Sequence, residues 1–178
     1  MGPWYCYNML KNSSKYIEAL KTLTFQPGDE VMFCQGEVDS RIQLVKRAAM
    51  TNLDDAVKTV VDRYMLGCEA IRKEFPGVSF GCYGPVASAP DGVKTNNWFD
   101  TNGTTVERNK GTMALNVKIE EECKKHGFWF VTLFYDLVDQ NLMSKKELWH
   151  DQIHISIQKT YDLLEKAWLK YRGKPLVP

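Results

Sequence analysis

Two short stretches carry residue types from which acyl-transfer chemistry can be assembled. Asp151 and His154 stand three residues apart, just ahead of a helical run. A carboxylate that faces an imidazole across one turn fixes its tautomer and stabilises the imidazolium, which is what a general base needs. The same D-x-x-H spacing also suits a helix N-terminus capped by Asp151 or Ser156, with His154 a hydrogen-bonded surface side chain. The second stretch, Gln35-Gly36-Glu37-Val38-Asp39-Ser40-Arg41, sets two carboxylates and a guanidinium directly after an apolar run. Gly36 permits close backbone approach, and its N–H can donate to an oxyanion. Arg41 either pairs with Glu37 or Asp39 or grips a ligand carboxylate or sugar hydroxyl. Glu37 and Asp39 are two apart in one loop, so they cannot flank a sugar from opposite sides as glycosidase carboxylates do.

Other chemistries lack their residues. There is no G-x-G-x-x-G and no phosphate-binding G-x-x-x-x-G-K-[ST], so no nucleotide motif is present. The five cysteines (Cys6, Cys34, Cys68, Cys82, Cys123) form no C-x-x-C pair, and none lies near a His at metal-ligand spacing. They read as buried reduced thiols, and His126 and His150 as solvent-facing loop residues. No metal or other cofactor is expected. Across 178 residues, 23 Lys+Arg against 22 Asp+Glu leave a formal charge of +1. That balance lacks the basic excess of a nucleic-acid binder. No apolar run approaches the length of a membrane span, and Met1-Gly2-Pro3-Trp4-Tyr5 has no signal-peptide character, so neither nucleic acid nor membrane is an expected partner. A cytoplasmic location is the corresponding expectation.

The elements that must position these residues follow from periodicity. Apolar runs at 31–34, 78–83 and 128–133 read as strands, the first buried on both faces. Helical spacing covers 13–23, 52–75, 112–125 and 156–171. Asn52 is the N-cap of the second helix, Gly127 the left-handed cap of the third, and Ile157, Tyr161, Leu164 and Trp168 the core stripe of the last. The segment 86–109, rich in Asn, Gly, Asp, Pro and Thr, reads as one long loop. Helices alternating with short strands in a single domain over 1–178 are the α/β pattern of parallel strands and crossover helices. In such sheets the site lies beyond the carboxyl ends of the strands. Residues 35–41, 84–88 and 149–154 share that rim, and the loop aromatics Trp98, Phe99 and Trp149 are candidates to line a cleft there.

In order along the chain, Pro27-Gly28-Asp29, an apolar strand, Gly36-Glu37-Val38-Asp39-Ser40-Arg41, Gly84-Pro85 and Asp151-Gln152-Ile153-His154 resemble the SGNH/GDSL hydrolase superfamily. The branch whose third block reads G-E-[IV]-D-C-R is the most similar. Gly2-Pro3-Trp4-Tyr5-Cys6-Tyr7 resembles that branch's second block. The resemblance implies a three-layer α/β/α, flavodoxin-like fold and hydrolysis of O-acyl esters, carbohydrate acetyl esters among them. It further implies His154 as general base, Asp151 as its orienting partner, Gly2 as an oxyanion-hole donor, and 36–41 as the third block, with Glu37, Asp39 and Arg41 on the substrate side. Val38 stands where the superfamily usually has Asn.

One block has no counterpart. The superfamily's nucleophilic Ser lies in a G-D-S block on a first strand ahead of the Gly-Pro block, and here only Met1 precedes Gly2. Ser40 and Ser88 lie on the correct rim without that context. The expectation is therefore a domain lacking its nucleophile-bearing first strand, with Met1 an internal methionine of a longer protein. In the superfamily's 2-1-3-4-5 strand order the missing strand would lie beside 31–34, leaving an exposed edge open to self-association. The alternatives are a non-catalytic glycan- or ligand-binding or assembly relative of the same fold, and an unrelated doubly wound domain.

Overall fold

A computed structural model describes residues 5–91, 101–150 and 154–174. Three strands, β1 (Glu30–Cys34), β2 (Ser79–Tyr83) and β3 (Trp129–Val131), pair side by side in the order β1-β2-β3, all parallel. The β1–β2 register runs from Glu30 opposite Ser79 to Cys34 opposite Tyr83. Five helices accompany them among the described residues: α1 (Met9–Leu20), α2 (Leu44–Met50), α3 (Leu53–Lys73), α4 (Thr105–His126) and α5 (Ile157–Arg172).

The period-2 alternation of each strand divides its side chains between two layers. Phe33, Phe80, Cys82 and Phe130 face a core shared with Val60, Val61, Tyr64 and Ile71 of α3 and Leu115 and Ile119 of α4, and α1 packs onto α3 beyond them. Within that core Phe33 stacks on Phe80, centroids 5.6 Å apart, and meets Tyr16 of α1 edge-on. The opposite face, with Tyr83, Trp129 and Val131, is covered by α5 through Leu164, Ala167 and Trp168. These are the three layers of an α/β/α fold.

Local signals set most element ends. Asn52 accepts from the Asp55 N–H at 2.9 Å, with Asp54 and Asp55 in the first turn of α3 and Arg72 and Lys73 in its last. Gly127 and Gly173 close α4 and α5 in the left-handed conformation. Ser156, not Asp151, holds the N-cap position of α5.

Several expectations are corrected. Asp39, read as sharing one loop with Glu37, is helical: a π-helical turn (Asp39–Gln43) runs directly into α2. The loop after β2 is shorter than its composition suggested, because α4 begins at Thr105. There Thr104 and Glu107 form a reciprocal capping box, which initiates a helix ahead of any apolar stripe. The first helix starts at Met9 rather than 13.

β1 is not buried on both faces. Met32 is 39% exposed and Cys34 is also exposed, unlike the other four cysteines. The stripe of α5 is partly buried at Leu164 and Trp168 only: Ile157 is 76% and Tyr161 42% exposed. Both departures have one cause. α5 reaches only β3 and Tyr83 of β2, so among the described residues Met32 and Cys34 of β1, and Ile157 and Tyr161 at the start of α5, are left uncovered.

Close approach at Gly81 permits the second layer. A Cβ there would sit 1.9 Å from Cδ2 of the Trp129 indole, which lies over the glycine and packs on Trp168, ring centroids 5.4 Å apart. Arg172 extends the stack over Trp129 and pairs with Glu30 of β1, tying the end of α5 to the start of the sheet. Gly81→Ala is expected to lower stability by roughly 1–3 kcal/mol through overpacking, read as a lower urea midpoint at unchanged m-value.

Candidate active site

Parallel pairing brings the carboxyl ends of all three strands to one rim, where Glu37, Arg41 and His154 come together. Leaving β1, Gly36 adopts φ 109° and is held between Pro85 and Cys6; a Cβ would lie 3.1 Å from Pro85 Cγ and 3.2 Å from Cys6 Sγ. The turn is therefore closed to any other residue, both by conformation and by space. Ser40 N–H then donates to Gly36 O at 2.9 Å, starting the helical turn.

Glu37 and Arg41, one helical turn apart, form an ion pair. Arg41 Nε is 2.8 Å from Glu37 Oε1, and Nη2 donates to Oε2 at 3.4 Å. The Arg41 side chain is buried and that of Glu37 is half-exposed, so the guanidinium presents the carboxylate to the rim. Burial raises the Glu37 pKa, opposed by the charges of Arg41 and His154. Glu37 and His154 are thus electrostatic neighbours although 117 positions apart in sequence. Both line a cleft of about 700 Å³ together with Val86, His150, Ile155, Ile157 and Gln158. An antiparallel bridge between Trp149 and Ile155 and a 2.8 Å bond from His150 N–H to His154 O hold the imidazoles there.

Asp39 points elsewhere. It is fully buried, and its carboxylate accepts from the N–H groups of Cys6 at 2.7 Å and Tyr7 at 3.3 Å, anchoring the short helical turn Cys6–Asn8 that precedes α1. Desolvation pushes its pKa up to about 6, even though these N–H donors and the Arg47 charge pull it down. Ser40 is buried, and its Oγ has no hydrogen-bond partner. Gly2 and Asp151, and with them Trp98 and Phe99, lie outside the described residues. Trp149 is buried rather than lining the cleft.

Sequence reasoning missed the polar scaffold behind the rim. Arg108 is 1% exposed. It donates from Nε to Ser88 Oγ at 2.7 Å and from Nη2 to Ala89 O at 2.8 Å, Asp91 Oδ1 at 3.1 Å and Thr105 Oγ1 at 3.1 Å; Nη1 bonds Gly103 O. Asn109 accepts from Ser88 N–H at 2.8 Å and donates to Ser144 Oγ at 3.0 Å, while Ser144 Oγ donates to Ser88 O. Asn116 donates to Pro85 O at 2.9 Å and packs against Gly84, where a Cβ would fall 1.9 Å from its Oδ1. Ser88 is thus saturated by structural bonds. The available signal was the capping box, which extends the helix back over Arg108 and Asn109 and places them on the face of Thr112 and Asn116.

No family model and no curated protein matches the chain at a significant level. Solved structures do, and two of them illustrate the likeness. A candidate platelet activating factor from Streptococcus pneumoniae superposes with a TM-score of 0.58 at 17% identity, over 89% of this chain and 67% of that one. A candidate acylhydrolase from Bacteroides fragilis gives 0.54 at 14% identity, over 94% of this chain and 69% of that one. What they share with this chain is the fold. The three-layer α/β arrangement is that of these acylhydrolase-like structures, and about a third of each lies outside the match.

The raised pKa of Asp39 has a signed consequence. With a folded value near 6 against an ordinary 3.8, the native state holds this proton more tightly than the unfolded chain does. The contribution is therefore full below about pH 4 and is lost as pH rises to about 6, on the order of 3 kcal/mol in all. Urea denaturation across pH 3.5–7 is expected to show this falling segment, and Asp39→Asn to flatten it.

Proposed function

We propose that this domain is the body of an acyl-ester hydrolase of SGNH type, acting on small-molecule or glycan esters. The observation that carries the reading is the meeting of His154 with the Glu37–Arg41 pair in one cleft at the carboxyl ends of a parallel sheet. In this reading His154 takes the proton of a serine hydroxyl as its Oγ attacks the acyl carbon, then returns it to the departing alcohol. Asp151 orients the imidazole. Gly36 and Gly2 offer N–H groups to the oxyanion, while Glu37 and Arg41 bind hydroxyls of the alcohol part. Asp39 acts indirectly, by fixing the turn that follows Gly2.

The nucleophile is the part this chain does not supply. Ser88 is consumed by Arg108, Asn109 and Ser144, and Ser40 is buried. A strand added in parallel along the open edge of β1 would end at the cleft, so the reading assigns the serine to a segment outside these 178 residues. A version extended upstream through a G-D-S strand is expected to hydrolyse p-nitrophenyl acetate, with His154→Ala lowering turnover by roughly 10²–10⁴. An upstream reading frame with no serine-bearing strand would overturn this.

A second reading, a non-catalytic ligand-binding or assembly relative, draws on the uncovered edge itself. Exposed Met32 and Cys34, on a strand with one neighbour among the described residues, form a template for pairing with another copy. Under it the 178-residue protein self-associates in sedimentation velocity, and Met32→Lys, a charge on the edge strand, shifts it to monomer. A wild-type monomer at all concentrations would count against it.

A further inference from the structure

The cleft that holds His154 has an apolar side as well as a polar one. Val86, Ile155 and Ile157 line it together with Glu37, His150 and Gln158. The three β-branched residues come from separate places: Val86 follows β2, Ile155 belongs to the bridged segment, and Ile157 opens α5. Each stretch of backbone is held. Pro85, next to Val86, accepts from Asn116 at 2.9 Å; Ile155 is bridged to Trp149; and the Ser156 N–H, next to Ile157, donates to Leu148 O at 2.8 Å. Side chains branched at Cβ are stiff at χ1, so this apolar surface is set before any ligand arrives.

Folding alone gives Ile157 little to do. Val86 and Ile155 are half-buried against the core under α5, whereas Ile157 is 76% exposed. At the first position of a helix, isoleucine supplies neither a cap nor a charge that suits the dipole, and its branching lowers helix propensity. A single apolar side chain on a convex surface needs no explanation. One that lines a concave site beside two half-buried partners is where an apolar ligand gains by displacing water. The cleft, at about 700 Å³, is far larger than an acetyl methyl needs. With Glu37 and Arg41 assigned to hydroxyls of the alcohol part, the aliphatic side is left for the acyl group.

We propose that Val86, Ile155 and Ile157 form a subsite for an aliphatic acyl chain longer than acetyl. The chain covers the exposed face of Ile157 and the cleft-facing surface of the other two, and an acetyl group leaves most of that surface wet. The identity of the ligand as an ester rests on the hydrolase reading; the apolar preference rests on the cleft itself.

Methyl-resolved NMR of the 178-residue protein, titrated with methyl hexanoate and with methyl acetate, tests this without turnover. Saturable shifts of the Val86, Ile155 and Ile157 methyl groups are expected with methyl hexanoate. Its affinity is expected to exceed that of methyl acetate by about tenfold or more, since each fully buried methylene is worth roughly fourfold and an open cleft buries less. Ile157→Asp puts an acid in the first turn of α5, where the helix dipole accepts it. That variant is expected to fold, as judged by circular dichroism, and to bind methyl hexanoate roughly tenfold more weakly, read on Val86 and Ile155. Ile157→Val is expected to weaken binding by no more than about fourfold. Lys159→Gln, an exposed neighbour on α5, is expected to leave it unchanged. No saturable binding of methyl hexanoate, equal affinity for the two esters, or undiminished binding by folded Ile157→Asp would overturn the proposal. Turnover of p-nitrophenyl acetate by the upstream-extended version reads the hydrolysis separately. Binding without turnover keeps the subsite and removes the ester chemistry; turnover without a chain-length preference does the reverse.

Discussion

Parallel pairing of three short strands is the constraint from which the rest of this architecture follows. Because β1, β2 and β3 all run the same way, each connection must cross over through a helix, and all three carboxyl ends open onto one rim. Gly36 meets Pro85 and Gly84 meets Thr132, although these residues come from three distant parts of the sequence. The helical turn at Asp39–Gln43, the capping box before α4 and the bridged segment around His154 then determine which side chains look into the space those ends enclose.

The rim is held by buried polar groups more than by apolar packing. Arg108, with one half-exposed carboxylate as its countercharge, depends on the carbonyls of Ala89 and Gly103 and the hydroxyls of Ser88 and Thr105 to compensate the water it has lost. Each of those groups belongs to the loop after β2 or to the start of α4, so the cation fixes the loop against the helix. Asp39 does the same for the N-terminal turn through two N–H groups, at the energetic cost recorded in its raised pKa. Satisfied networks of this kind specify one loop conformation, since any displacement leaves a buried donor or acceptor unpaired.

The two layers are unequal. The face packed by α1, α3 and α4 is closed, with Val60, Val61, Tyr64 and Ile71 fully buried. The face under α5 is closed over β3, where Trp129, Trp168 and Arg172 stack, and over Tyr83 of β2, and stays open over Met32 and Cys34. About a third of each of the two solved structures of like fold lies outside the match.

Much of this was legible in the sequence. Strand and helix periods, Asn52 as a cap, Gly127 as a stop, and the α/β order are local properties encoded within one or two turns of chain, and they reappear in the structure. The sequence by itself also placed Gly36, Glu37, Arg41 and His154 on one rim, because strand direction alone assigns loops to an end of the sheet. It could not show that Asp39 turns inward to the backbone of Cys6 and Tyr7 while Glu37 faces the cleft, since that depends on the helical turn they share. Nor could it show that Arg108, read as part of a polar loop, is among the most deeply buried side chains, or that Ile157 and Tyr161, read as core, are exposed. A helical stripe records which residues would be buried against a neighbour. Whether that neighbour exists, and which buried charge the surrounding backbone can solvate, only the tertiary structure decides.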